Sequence, residues 1–268
     1  MIENCRSARS QTSGLLAPFL ILSIFSASAA DSELKTTTKE KKQYPADRVN
    51  FTISGTITFK GKPRERKPID LSAHKGASEY YKDKPLLDER YVISADGKVA
   101  DVLIFVSKGL EEYAFRTPKE PVAIDQLGYR FEPHVFGIMV GQPLIIRNRD
   151  DDAHNIHCLC LKNDGFNLAQ PCRDVTTKKQ FSEAELPFRI QCDLHIWMQA
   201  WCGVLDHPFF CVSNADGQFE LKGLIAGHYE LTAWHERLGT QKIEIDVGDG
   251  AANKASFAFG QGIESAKP

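Results

Sequence analysis

A cysteine, a histidine and a methionine fall within one short run, Cys192-Asp193-Leu194-His195-Ile196-Trp197-Met198. The spacing is C-x2-H-x2-M, tight enough for one loop to fold three donors around a point. A thiolate, a neutral imidazole and a thioether suit copper far better than calcium or magnesium, which take oxygen ligands. The chain has only 3 Met, and one of them stands here. Taken alone, C-x2-H describes a disulfide cysteine and a surface histidine. Its company makes the difference: upstream lies Asp152-Ala153-His154-Asn155-Ile156-His157, at another junction of loop and strand. Two histidines and a cysteine in a trigonal plane with a weak axial methionine make a blue-copper electron-transfer site. Thiolate and thioether favour Cu(I), imidazole tolerates both oxidation states, and a short loop limits rearrangement between them.

His154-Asn155-Ile156-His157 followed by Cys192-x2-His195-x2-Met198 resembles the amicyanin and plastocyanin-like type 1 (blue) copper proteins of the cupredoxin family. The resemblance spans roughly residues 126–205. It implies a Greek-key β-sandwich holding one copper ion through His154, Cys192, His195 and Met198. It also implies that Asn155 hydrogen-bonds across to the cysteine loop, as groups behind metal ligands do. His195 is then expected near the surface as the electron port, with Ile196 and Trp197 as an apolar rim. Ile196 stands where amicyanin-like loops carry proline. The implied partners are redox proteins, a dehydrogenase or a c-type cytochrome, met in brief encounters that bury little surface.

The elements that must position these residues read as strands. Phe51 to Phe59 alternates apolar with Thr and Ser, the period of a half-buried strand. Further strands are expected at Tyr91 to Ile93, after the turn Asp96-Gly97 at Val99 to Val106, then at Tyr129 to Phe131, Val135 to Val140 and Leu144 to Arg147. Phe188 to Cys192 follows Pro187 and delivers the cysteine to a strand end. Phe209 to Val212, Phe219 to Leu221, Tyr229 to Trp234 and Gln241 to Val247 continue the pattern. Ser182 to Leu186 reads as one helical turn, and no long segment of helical period occurs. Many short strands with Gly and Pro turns predict an all-β chain of β-sandwich architecture. Asp216-Gly217-Gln218-Phe219, Leu224-Ile225-Ala226-Gly227-His228-Tyr229 and Leu231-Thr232-Ala233-Trp234-His235-Glu236 resemble the carboxypeptidase regulatory-like, transthyretin-like β module. Gly55-Thr56-Ile57 to Gly61-Lys62-Pro63 resembles the opening of such modules, so the two ends are expected to pair around the copper segment. The expected organisation is a signal peptide at 1–30, a flexible leader at 31–49 and an N-terminal β region at 50–125. A copper domain at 126–210, the second, smaller β-sandwich module at 211–258 and a tail at 259–268 complete it.

Arg6 and Arg9, the apolar run from Leu15 to Phe25 and the small residues Ala27 to Ala30 form a secretory signal with an A-x-A-like cut. The protein is therefore expected to be exported, periplasmic or extracellular, with no membrane span after cleavage. Seven cysteines are present, and Cys5 leaves with the signal. The other six lie between Cys158 and Cys211, and an oxidising compartment permits disulfides. Pairing of Cys172, Cys202 and Cys211 among themselves, or with Cys158 or Cys160, is expected. A formal charge of −2 gives no basic excess for nucleic acid. No Walker loop, G-x-G-x-x-G, C-x-x-C-H or G-x-S-x-G occurs, which argues against nucleotide cofactors, c-haem and a serine hydrolase. His157, three residues beyond His154, is expected to face core or solvent, and His134 to be structural. Asp150-Asp151-Asp152 reads as a solvent loop. The leading expectation is a type 1 copper protein that carries single electrons and turns over no substrate itself. The alternatives are a non-redox extracellular binding module with disulfides, and copper storage or delivery or a catalytic copper site with an open position.

Overall fold

Alternating threonine and β-branched residues at Phe51–Phe59 do form a strand, with Ile53, Ile57 and Phe59 buried. The computed structural model of the protein describes residues 40–48 and 50–260. The signal reading at 1–30, most of the leader and the tail beyond Gly260 lie outside the described residues. Phe51–Phe59 pairs antiparallel with Gln218–Leu224 and parallel with Lys254–Phe259. Across a shared core lies a second sheet, ordered Phe210–Val212, Leu103–Lys108, Gly227–His235, Gly239–Val247. Strands from both ends of the chain thus close one sandwich. No contiguous stretch could build it, because its central strands lie more than a hundred residues apart.

The residues between form the other sandwich. One sheet runs Phe166–Gln170, His154–Cys158, Glu185–Gln191, Gln199–Leu205, Val135–Met139; its last pair is parallel and the rest antiparallel. The facing sheet runs Thr176–Lys179, Leu144–Asn148, Val122–Gln126, Phe131–Glu132. Between them Ile124, Ile138, Ile146, Ile156, Ile190 and Ala200 are wholly buried, in the same cluster as Cys192 and Met198. A smaller apolar cluster joins the two sandwiches: Leu103, Phe105, Val135 and Leu205, capped by Trp201 against Trp234 at 5.1 Å between ring centroids. Among the described residues the protein is all-β apart from one short helix, α1 (Lys75–Tyr80). Among the described residues no helix is long and apolar enough to cross a membrane.

Several elements differ from expectation. Tyr91 to Val99 makes only isolated bridges, Ile93 to Val99 and Lys98 to Thr58, and the strand that follows begins at Leu103. Ser182 to Leu186 forms no helical turn, and the strand there starts at Glu185. Lys254–Phe259, which the sequence reading did not single out, is a strand, burying Ala255, Phe257 and Phe259. Within the expected leader, Lys42–Gln43 pairs with Tyr113–Ala114, and Tyr44 enters the core. Its hydroxyl donates to the Gly223 carbonyl at 3.0 Å and accepts from the Ile225 amide at 2.8 Å. A buried aromatic with a satisfied hydroxyl outweighs the solvation of the lysines beside it. The expected disulfides are absent at Cys158, Cys160, Cys202 and Cys211, all of which are free thiols. Cys202 is wholly buried in one sandwich, while Cys211 lies on a strand of the other.

Candidate metal centre

Pairing of Gln191 with His157 and Ile190 with Cys158 sets the end of Glu185–Gln191 antiparallel to the end of His154–Cys158, so the chain beyond Gln191 runs back toward His154. Cys192 follows that strand directly. The loop behind it is closed by two backbone bonds, Cys192 N–H to the Met198 carbonyl at 3.1 Å and Met198 N–H to the His195 carbonyl at 2.8 Å. The closure turns His195 back toward the sulfur. The Cys192 Sγ lies 3.7 Å from His195 Nδ1, and the two Nδ1 atoms of His154 and His195 lie 3.1 Å apart. The ligand atoms of His154, Cys192 and His195 all fall within 4.8 Å of one another, and all three residues are buried. Met198 is buried at the far end of the loop, 1% exposed. Two imidazole nitrogens and one sulfur converging on a single point fit copper or zinc, and not a hard cation.

The electrostatics favour a deprotonated ligand. Burial alone would raise the Cys192 thiol, but hydrogen bonds from His154, His195 and the Asn155 backbone bring it down to about 6. Burial alone would lower His154; the Asp150 hydrogen bond and the Cys192 sulfur raise it to about 9. Both shifts favour moving the proton from the Cys192 sulfur to the His154 ring. Metal binding would displace that proton, the usual coupling of ligation to ionisation.

Asn155 is 8% exposed and crosses to the loop. Its Oδ1 accepts from the Asp193 amide at 2.7 Å and from the Cys192 sulfur at 3.3 Å. Its amide group donates to Asn167 at 2.7 Å and to Asp193 at 2.9 Å. Asp193 also takes Gln191, His157 and Asn167; the Gln191 bond, followed by His157, holds its carboxyl down to about 2. His157 therefore points away from the metal cluster, as strand alternation requires. His134 is buried elsewhere, between the Gln199 carbonyl at 3.0 Å and Glu236 at 2.5 Å.

Two features lay beyond the sequence reading. Asp150, expected in a solvent loop, is 5% exposed and accepts from His154 Nε2 at 2.9 Å. It also takes the Gly128 and Tyr129 amides at 2.7 and 2.8 Å. Burial would raise its carboxyl, but these bonds hold it below its ordinary value. The two successive amides form an anion-binding concavity, which explains why Gly128 and Tyr129 both turn at positive φ, 60° and 55°. The carboxylate fixes a proton on His154 Nε2, leaving Nδ1 free to face the sulfur. Asp152 is engaged too, by the Tyr129 hydroxyl, while Asp151 stays at the surface with Arg173. The only sequence signal for Asp150 is its place four residues before His154, and that spacing is uninformative in a loop.

The second feature is the cover over His195. Expected near the surface, its ring is 7% exposed. Tyr129, Trp197 and His74 surround it at centroid distances of 5.3, 5.4 and 5.1 Å. Of the expected apolar rim, Ile196 is 77% exposed, whereas Trp197 turns inward and donates to the Tyr129 carbonyl at 3.1 Å. His74 comes from a charged stretch that carries no periodicity.

No protein-family model matches any part of the chain, and no curated protein is significantly similar to it. Solved structures similar to part of it include copper-containing proteins. A copper-containing nitrite reductase from Thermus scotoductus SA-01 is 18% identical, with a TM-score of 0.31, over 39% of this chain and 26% of that one. A methionine mutant of amicyanin in its Cu(I) form is 20% identical, with a TM-score of 0.28, over 31% of this chain and 81% of that one. A purple cupredoxin from Nitrosopumilus maritimus is 19% identical, with a TM-score of 0.27, over 31% of this chain and 98% of that one. The chain thus spans about a quarter of the nitrite reductase's length. Likenesses this partial assign neither ligand nor activity to the chain.

Proposed function

We propose that the protein binds one copper ion through His154, Cys192 and His195, with Met198 as a further, weaker donor, and carries single electrons between redox partners. Convergence of two imidazole Nδ1 atoms and a depressed-pKa thiol on one buried point is the observation that supports it. Copper bound there would supply a one-electron couple. The chain's own contribution is to hold the donors fixed. Asp150 orients His154, Asn155 ties the cysteine loop to the neighbouring strand, and the closed loop from Cys192 to Met198 limits movement between oxidation states. In this reading the second sandwich is a structural or docking unit of the carboxypeptidase regulatory-like kind and the protein turns over no substrate. It works outside the cytoplasm, and its partners are a dehydrogenase or a c-type cytochrome. The test is a visible and electron-spin-resonance spectrum of the purified protein with one equivalent of Cu(II). An intense thiolate-to-copper band that disappears in Cys192→Ser supports the reading. A colourless protein that retains only Cu(I) would make it a delivery protein, and no copper retention would refute the site.

A further inference from the structure

The reading above leaves open how an electron reaches a metal whose ligands are all buried. The rings in contact with His195 can be sorted by their access to solvent. His154 is 1% exposed and Tyr129 6%, so neither leads outward directly. Trp197 and His74 are both half-buried, and they pack on each other edge to face at 4.8 Å between centroids. His74 alone among these rings belongs to a segment foreign to the ligand sandwich's strands and loops. It sits at the N-terminus of α1 and lies over His195 at 5.1 Å.

That cover is built rigidly. Leu71 and Ala77, on either side of His74, are buried in the cluster that contains Cys192 and Met198. The His74 amide donates to the Leu71 carbonyl at 2.9 Å, and the Ser78 hydroxyl donates to the same carbonyl at 2.6 Å. At the other end of the helix, the Tyr81 hydroxyl donates to the Gly128 carbonyl at 2.6 Å. Gly76 lets the helix approach so closely that a Cβ there would stand 2.3 Å from the Tyr129 hydroxyl. A ring held this way keeps a fixed contact with His195.

We propose that His74 is the electron port: the electron passes between the metal centre and an outside one-electron donor or acceptor through the His195–His74 ring contact, and not through an exposed edge of His195. This rests on the copper reading. One electron leaves the reduced centre and one arrives on the acceptor; the His74 ring is unchanged, with no bond made and no proton lost. Electronic coupling decays exponentially across empty or saturated space, so a conjugated ring in contact with a ligand carries the electron far better than an alkyl group of similar bulk.

The experiment is stopped-flow oxidation of the copper-loaded, reduced full-length protein by tris(phenanthroline)cobalt(III), an outer-sphere oxidant too bulky to enter the site. Growth of the charge-transfer band is followed, with the potential of each variant measured alongside. His74→Leu keeps the cover and removes the ring; its rate is expected to fall by about an order of magnitude at unchanged spectrum. His74→Phe restores a ring and is expected to stay near the parent rate. His74→Gln guards against a packing defect in the leucine variant and should also be slow. A parent-like rate in both His74→Leu and His74→Gln overturns the port, as does a larger loss in Ile196→Ser than in His74→Leu. Absence of the charge-transfer band in the parent protein instead overturns the copper reading itself, so the two failures are distinguishable.

Discussion

Replacing Asp150 by asparagine isolates the electrostatic part of the site. The carboxylate lies 2.9 Å from His154 Nε2, and one imidazole ring separates it from the Nδ1 face that meets the sulfur. A unit charge about 7 Å from a bound metal, at an effective dielectric constant of about 20, interacts with each unit of metal charge by about 2 kcal/mol. For a one-electron couple that corresponds to roughly 80–100 mV. The carboxylate favours the oxidised ion, so Asp150→Asn is expected to raise the reduction potential by that amount. The introduced amide is close in size and its oxygen can still accept from His154, so the turn at Gly128 and Tyr129 loses one hydrogen-bond acceptor and keeps its shape. The assay is spectroelectrochemical titration of the charge-transfer band in parent and variant, with far-ultraviolet circular dichroism as the control for folding. Asp150 is buried, so the shift should change little with salt. An unchanged or lowered potential in a folded, copper-loaded variant would refute the reasoning, because no other effect of the substitution opposes the loss of a buried negative charge.

Without metal, the Cys192–His154 pair gives a second expectation. Folding depresses the thiol to about 6, a stabilisation that grows as pH rises from about 6 to the unfolded value of 9.0. Folding raises His154 to about 9, a stabilisation present below 6.5 and lost as pH rises through about 9. Between those limits the two slopes cancel, because the proton has only moved from sulfur to imidazole. Urea midpoints of the apoprotein should therefore show no net pH dependence from this pair between about pH 7 and 9, while Cys192→Ser should uncover a fall with rising pH from the part of the His154 shift that Asp150 causes. Met198→Leu is expected to keep the charge-transfer band and shift the potential, since an axial thioether bond is weak; loss of the band would make Met198 an equatorial ligand. Gly76→Ala would gain up to about 1 kcal/mol of helix propensity. Its Cβ, however, would stand 2.2 Å from the Asp152 carboxylate and 2.3 Å from the Tyr129 hydroxyl. Overpacking of about 1–3 kcal/mol outweighs the gain, so a lower urea midpoint and faster tryptic cleavage at Lys82 are expected; an equal or higher midpoint counts against a tightly docked α1.

Local chemistry was legible from the chain alone. Alternation of apolar and polar residues marks a strand wherever one face is buried, so Phe51–Phe59, Gly227–His235 and Gly239–Val247 announced themselves. The spacing from Cys192 to Met198 fits a short loop, and a loop's donors converge because the chain leaves them little room to part. The reach of Asn155 to the cysteine loop came from the family resemblance, not from its spacing along the chain. What the sequence could not supply were meetings between distant segments. Asp150 looks like one of three solvated carboxylates until the turn at Gly128 and Tyr129 wraps two amides around it. His74 lies in a stretch without period, more than a hundred residues from His195, and only the packing of α1 against the ligand sandwich sets the two rings together. Lys254–Phe259 becomes a strand because Phe51–Phe59 offers it an edge. Spacing along a chain fixes what neighbours can do together; the burial of a charge or the covering of a ligand is a property of the space around it, and tertiary packing alone decides what fills that space.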